Sequence, residues 1–232
     1  MANKKRILAI VPARSGSKGL KDKNILLFNG KPLLAWSIEA ACNVKGIDKV
    51  ILSTDSEQYA RIGERYGASV PFLRSIELSN DKTSLMSVIE NTVSELRKNG
   101  ENYDIVVVLQ PTSPFRTTLH ISEALKQFLS LDYSPKSMAS VYQVESKYRW
   151  LLQQNKEGYL RFLDDNLNQG AGFTRQENAD VFMPNGAIFI YESQYLGSQY
   201  QHNTVPFLMS KESSLDIDTQ EDFDHALQLS SK

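Results

Sequence analysis

The chain has 232 residues, 41% of them apolar and 23% charged, with a formal net charge of −1. That allows one large domain with a substantial core, and it supplies no bulk field to attract nucleic acid or an anionic membrane. No apolar run approaches the roughly 18 residues that cross a bilayer, one cysteine rules out an intramolecular disulfide framework, and M-A-N-K-K-R carries no signal-peptide h-region, so a soluble cytoplasmic protein is expected.

The first predicted element, 7–11 (I-L-A-I-V), is an unbroken apolar run, as a strand buried on both faces of a parallel sheet reads. Pro12 ends its ladder. A glycine-containing loop follows with four cations, Arg14, Lys18, Lys21 and Lys23. Asn29-Gly30 marks a tight turn, and Pro32 opens a helix to about residue 44. Cys42 falls in that apolar helical stretch and reads as a small core residue. A second strand is expected at 49–54 with Asp55 at its end, a helix at 57–66 closed by Gly67, and a short strand at 68–73 with Arg74 beyond it. The pattern of Leu85, Val88, Ile89, Val93 and Leu96 predicts a helix over 84–98.

A buried strand at 104–109 runs into the rigid Q-P-T-S-P-F-R loop, and Thr117 or Thr118 caps a helix to about 131. Another strand is expected at 137–144. Residues 145–183 mix aromatics with charge and lack a long buried run. They read as an inserted hairpin and arm with a binding or subunit-contact role. Pro184-Asn185-Gly186 then reads as a turn into a strand at 187–191. Short extended segments follow at 205–209 and 214–219, and a last helix is capped by Thr219 with Asp222. Strands alternating with helices predict a mostly parallel, Rossmann-like α/β sheet in a single domain, 1–232.

Two groups carry chemistry. The cationic loop lies at the carboxyl end of the first strand, where open α/β sheets bind ligands, and its backbone N–H groups suit an anion. The spacings of both the Walker A and the dinucleotide glycine patterns are absent, so a phosphate loop of a third kind is required. Asp216 and Asp218, at i and i+2 in an extended segment, share a face. Mg²⁺ is commonly held by one or two carboxylates plus phosphates; a solvated edge is the competing reading. His120, His202 and His225 are scattered and suggest no zinc site.

With these residues in hand, the sequence resembles the acylneuraminate cytidylyltransferases. The matches are A-R-S-G-S-K-G-L-K-D-K-N from Ala13, S-T-D from Ser53, L-Q-P-T-S-P-F-R from Leu109, P-N-G-A-I from Pro184 and D-I-D-T from Asp216, in that order along nearly the whole chain. The resemblance implies a nucleotidyltransferase fold, a homodimer built through the inserted arm, and Mg²⁺. It also implies transfer of CMP from CTP to a nine-carbon α-keto acid sugar. Carried over, Arg14, Ser17, Lys18, Lys23 and Asn24 form the nucleotide loop, with Arg74 and Ser84 as further nucleotide contacts. Arg14, Lys18 and Asp216 would be catalytic. Gln110, Arg149 and Arg175 would meet the sugar, Arg175 at its carboxylate, and Asp216 and Asp218 would hold the metal. Some relatives have arginine where this chain has Met183, so legionaminic or pseudaminic acid is an alternative acceptor.

Overall fold

The computed structural model describes residues 4–17, 19–134, 136–163, 180–197 and 199–231. The six-stranded sheet is built from β1 (Ile7–Pro12), β4 (Lys49–Ser53), β5 (Ile105–Val108), β6 (Ser137–Val144), β9 (Val181–Glu192) and β10 (Thr204–Leu208), in the order β10-β6-β9-β5-β1-β4. β1 pairs in parallel with both β4 and β5, and β6 with β10; β9 alone runs against its neighbours β5 and β6. The carboxyl ends of β1, β4, β5, β6 and β10 therefore lie along one edge.

The two faces follow from alternation along β1. Ile7, Ala9 and Val11 point to one side, with Leu34 and Ile38 of α1 (Leu33–Cys42) and Ile121, Leu125 and Phe128 of α4 (Thr118–Leu129). Leu8 and Ile10 point to the other, with Met86, Ile89, Val93 and Leu96 of α3 (Leu85–Lys98). Helix α2 (Glu57–Arg65) is capped by the Ser56 hydroxyl. The chain passes from β1 to β4 on one side and then crosses to β5 on the other, so the sheet's topological switch lies at β1. Such a switch leaves a crevice outside the strand ends.

A third apolar cluster fixes the end of the chain. The short hairpin of β2 (Leu27–Phe28) and β3 (Lys31–Pro32) turns through Asn29 and Gly30, both with positive φ. Phe28 and Leu33 pack there with Ile217 and with Phe223 and Ala226 of the last helix, α5 (Gln220–Ser230). Thr219 and Asp222 form the expected capping box.

The structure departs from the sequence reading in three places. Residues 68–73 make no strand; Ser69 contributes a single parallel bridge to Ile51, and Pro71 cannot donate to a longer ladder. Pro184-Asn185-Gly186 is not a turn before a strand but lies within β9, which is continuous from Val181. Opposite it β6 shifts register between Ala139 and Val141, and this irregularity accommodates the positive φ of Gly186. Cys42 is exposed, not a core residue: it is the last residue of α1, and its Sγ donates to Gly67 O at 3.6 Å. Burial and Glu39 both push its thiol pKa up, so it has little thiolate character.

Beyond β6 the inserted segment contains a short 3₁₀ turn at Ser146–Trp150 and a separate two-stranded hairpin of β7 (Leu152–Gln154) and β8 (Leu160–Phe162).

Candidate active site

A cleft of about 570 Å³ opens at the carboxyl ends of β1 and β5. Arg14, Ser17, Lys23, Asn24, Arg74, Gln110 and Asp218 all line it. Seven of the residues singled out from the sequence thus meet in one hollow. Lys18 and Arg175 lie outside the described residues.

Each wall has a local cause. Pro12 releases the chain from the sheet. Asp55, just past β4, then fixes the loop: Ser15 donates from its N–H and its hydroxyl to the two Asp55 carboxylate oxygens, both at 2.8 Å. The Asn24 amide is buried and donates to Arg14 O at 3.0 Å, closing the loop on itself. Arg74 follows Thr54 O through a backbone bond and is almost fully buried. Its Nε donates to Ser79 Oγ at 3.1 Å, while its buried Nη2 has no partner. Burial pushes its pKa down, and the Asp55 carboxylate opposes that shift. An arginine with a buried, unsatisfied N–H facing a cleft is equipped for an anion.

Asp218 reaches the cleft because Ile217 beside it is fully buried and donates its N–H to Thr112 O at 2.9 Å, whereas Asp216 is not among the residues lining that cleft. Asp218 stands at the mouth, 2.6 Å from Lys23 Nζ. Asp216 lines an adjoining hollow of about 270 Å³ with Tyr142, Pro184, Asn185, Lys211, Ser214 and Leu215. Burial, and secondarily the Asp218 charge, push its pKa up, while the nearby Thr112 hydroxyl and Lys23 pull it down. Neither Asp216 Oδ1 nor Thr112 Oγ1 makes a hydrogen bond of normal geometry. Thr112 and Asp218 line the cleft, and Asp216, two positions before Asp218 along the chain, lines the second hollow.

Two expected contacts, Ser84 and Arg149, fall elsewhere or only adjoin the cleft. The Ser84 hydroxyl caps α3, accepting from Ser87 N at 3.0 Å, and its neighbours Thr83 and Leu85 line the cleft in its place. Arg149 sits half-buried in the 3₁₀ turn at Ser146–Trp150, away from the cleft. The Gln110 amide does face the cleft, against Gly186, where an added Cβ would stand 3.3 Å from its Oε1.

Sequence reading passed over two residues. Asp81 lines the cleft and accepts from Arg14 Nη2 at 2.6 Å. Arg116 is fully buried behind it, donating to Gln110 O at 3.0 Å, to Ala187 O at 2.9 Å and to the Ser37 hydroxyl. No carboxylate offsets its desolvation, and burial pushes its pKa down to about 9. The L-Q-P-T-S-P-F-R motif contained Arg116, but nothing local indicated its burial.

A mainly parallel sheet with a cationic cleft at its switch point defines an α/β protein built to bind a phosphorylated ligand. The sequence matches the family model Cytidylyltransferase over residues 8–231, and the chain belongs to that family. It is 40% identical over 230 residues to an N-acylneuraminate cytidylyltransferase of Escherichia coli, covering 98% of this chain and 52% of that protein. This chain thus spans about half of that relative's length. It is 36% identical over 222 residues to a CMP-N,N'-diacetyllegionaminic acid synthase of Legionella pneumophila, covering 94% of this chain and 93% of that one. Among solved structures, a CMP:2-keto-3-deoxy-manno-octonic acid synthetase complexed with CTP shares the fold, with a TM-score of 0.72 at 17% identity over 97% of this chain and 98% of that one. Among the described residues, no helix is long and apolar enough to cross a membrane.

Proposed function

We propose that this chain transfers CMP from CTP to a nonulosonic acid of the N-acetylneuraminate type, releasing pyrophosphate. The observation that carries the reading is the convergence of the early cationic loop and the late D-I-D segment, joined by Lys23 and Asp218 at 2.6 Å, around a cleft that also holds Arg14 and Arg74. The sugar's anomeric hydroxyl attacks the α-phosphorus; a new P–O bond forms as the bond to the β-phosphate's bridging oxygen breaks, and that oxygen leaves with pyrophosphate. Positioning and charge neutralisation supply most of such catalysis. Arg14, Lys23 and the unsatisfied Arg74 Nη2 receive the triphosphate, with Lys18 assigned to the same role by its place in the motif. Asn24 reads the cytosine edge, for which an amide's paired donor and acceptor are suited. Gln110 and Arg175 are assigned to the sugar, which the hollow lined by Asp216 would seat; Arg149 lines neither hollow.

Asp216 and Asp218 fit Mg²⁺. The ion takes carboxylate, phosphate and water oxygens, and Asp216 Oδ1 is a buried acceptor without a hydrogen bond. Among the described residues no group of three His, Cys, Asp or Glu side chains would hold a metal alone, in keeping with an ion that arrives with the nucleotide phosphates. When bound, it supplies charge neutralisation at the phosphates and an electrophilic contact for the attacking hydroxyl.

A second acceptor has its own support. The Legionella legionaminic acid synthase matches over nearly the full length of both chains, and Met183, on the edge of β9 opposite Tyr142, leaves this part of the sugar pocket without the arginine of some relatives. We further propose a homodimer formed through the arm, working in the cytoplasm where CTP is available. Incubation with CTP, Mg²⁺ and N-acetylneuraminic, legionaminic or pseudaminic acid, with pyrophosphate and CMP-sugar both quantified, tests the reading. Pyrophosphate release with one acid identifies the acceptor, and release with none rejects the activity.

A further inference from the structure

The segment from Ser75 to Thr83 forms one wall of the cleft, and it is organised mainly by bonds within itself. Leu78 N donates to Ser75 O and Ser79 N to Ile76 O. Lys82 N donates to Asn80 Oδ1, and the Thr83 hydroxyl to Glu77 O. Ile76 is 85% exposed, so the segment is not anchored there by apolar packing. Two guanidinium groups supply hydrogen bonds between it and the body of the protein. Arg14 donates to Ser79 O at 3.3 Å and to Asp81 Oδ1 at 2.6 Å, and Arg74 donates to Ser79 Oγ.

Arg14 and Asp81 both face the cleft, and neither is deeply buried: their side chains are 33% and 39% exposed. A carboxylate on the wall of an anion site repels a polyphosphate unless it is neutralised or moves aside. Here it is neutralised by the cation assigned to the phosphates.

We propose that Asp81 is an internal competitor for Arg14: its carboxylate holds the guanidinium at the cleft wall and gives way to the β- and γ-phosphate oxygens of an arriving nucleoside triphosphate. The inference rests on the cytidylyltransferase reading and deepens it by naming a residue that sets polyphosphate affinity. A partly exposed Arg–carboxylate pair is weak because solvent screens it, so a multiply charged pyrophosphate group displaces it readily. A nucleoside monophosphate ester lacks that group and does not. Asp81 therefore lowers affinity for CTP and pyrophosphate without affecting the CMP moiety, and its return to Arg14 favours release of the leaving pyrophosphate.

Calorimetric titration of CTP, inorganic pyrophosphate and CMP into the wild type and into Asp81→Asn and Asp81→Ser, with Mg²⁺ present, tests this. Circular dichroism checks each fold. Both variants should bind CTP and pyrophosphate roughly two- to fivefold more tightly, with CMP affinity unchanged. The serine variant guards against an amide that still holds Arg14. Unchanged or weakened pyrophosphate binding in the folded variants would overturn the proposal, making Asp81 a support for Arg14. Equal tightening of CMP would overturn it too, as a general field effect. Wild type that binds no CTP would instead reject the cytidylyltransferase reading itself. If neither variant folds, Asp81 is a structural support and the competitor role is rejected.

Discussion

Lys23 Nζ stands 2.6 Å from Asp218 Oδ1 although 195 positions separate them. The backbone comes together with the side chains: a Cβ added at Gly19 would lie 2.8 Å from Asp218 O. Glycine at 19 is thus required by close approach. Gly19→Ala should push the loop away from the D-I-D segment and raise the KM for CTP by about tenfold, with a smaller change in the melting temperature than a core substitution causes. Steady-state kinetics beside thermal denaturation checks this; an unchanged KM would mean that the loop moves freely on Asp218.

Asp216 and Asp218 differ in surroundings, one half-buried beside Thr112 and the other exposed at the cleft mouth. Asp216→Ala should lower CMP-sugar formation by at least about a hundredfold while leaving the circular dichroism spectrum intact. Removing the carboxylate also relieves a buried charge, so thermal stability should hold or rise. Near-normal turnover would reject a role for Asp216 in the reaction.

Strands β1, β4 and β5 were legible because burial on both faces writes itself as an unbroken apolar run. The end of β1, with its cluster of cations, followed from them. The D-I-D segment was legible as alternation, but what holds it was not. Ile217 is clamped by Thr112 O, and the short 3₁₀ turn at Glu212–Ser214 before it by Asn185, whose amide reaches Ser214 Oγ at 2.8 Å and accepts from Ser140 Oγ at 2.5 Å. These partners come from 29 and 45 positions away, so local turn chemistry suggested a reverse turn where tertiary bonds hold the chain extended. Asp81 was missed for the same reason, since its partner Arg14 lies 67 positions away. Arg149 was placed by motif position alone, without any local feature to fix where its turn would pack.

Arg116 ties three elements together: α1 through Ser37, the end of β5 through Gln110 O, and β9 through Ala187 O. Methionine at this position fills the volume but removes the donor to the Ala187 carbonyl, while Gln110 O keeps the Ser37 hydroxyl, so Arg116→Met should destabilise the fold by about 1–3 kcal/mol. Arg116→Lys should recover little of this, because one ammonium does not reproduce the planar fork. Urea denaturation of both variants measures it. A lysine variant as stable as the wild type would show that charge alone, not geometry, is required.

Glu101 accepts from Lys49 Nζ at both carboxylate oxygens, 2.8 Å each, and from the Tyr103 hydroxyl at 2.8 Å. These bonds hold its pKa below the ordinary 4.5. A depressed carboxyl pKa stabilises the fold fully above the unfolded value and loses that contribution as pH falls through the folded one. Burial, with Glu101 second, raises the Tyr103 pKa from 10.0 to about 12. That contribution is full below pH 10 and lost as pH climbs toward 12. Glu101→Gln should flatten the acid limb below about pH 4.5 by at most about 1 kcal/mol and, by lowering the folded Tyr103 pKa toward 10, make the alkaline limb shallower. Melting temperatures from pH 3 to 11 provide the test, and an acid limb identical to that of the wild type would deny the Lys49–Glu101 bond a share in stability.

The β7–β8 hairpin carries two leucines that are exposed, Leu152 and Leu160. Leu152 pairs with Phe162 and Gln154 with Leu160, so the three apolar residues share one face. Leu160 is 66% exposed and Leu152 48%. A two-stranded hairpin is marginally stable alone in water, and contiguous exposed apolar groups mark an interaction surface. In the proposed homodimer this face is covered by the second copy. Leu152→Glu with Leu160→Glu should convert the dimer to a monomer in sedimentation velocity, with little change in the stability of the main sheet, because both side chains already face solvent within one chain. A wild type that sediments as a monomer at micromolar concentration would reject the arm as a dimer contact. A double variant that stays dimeric would move the interface to another face.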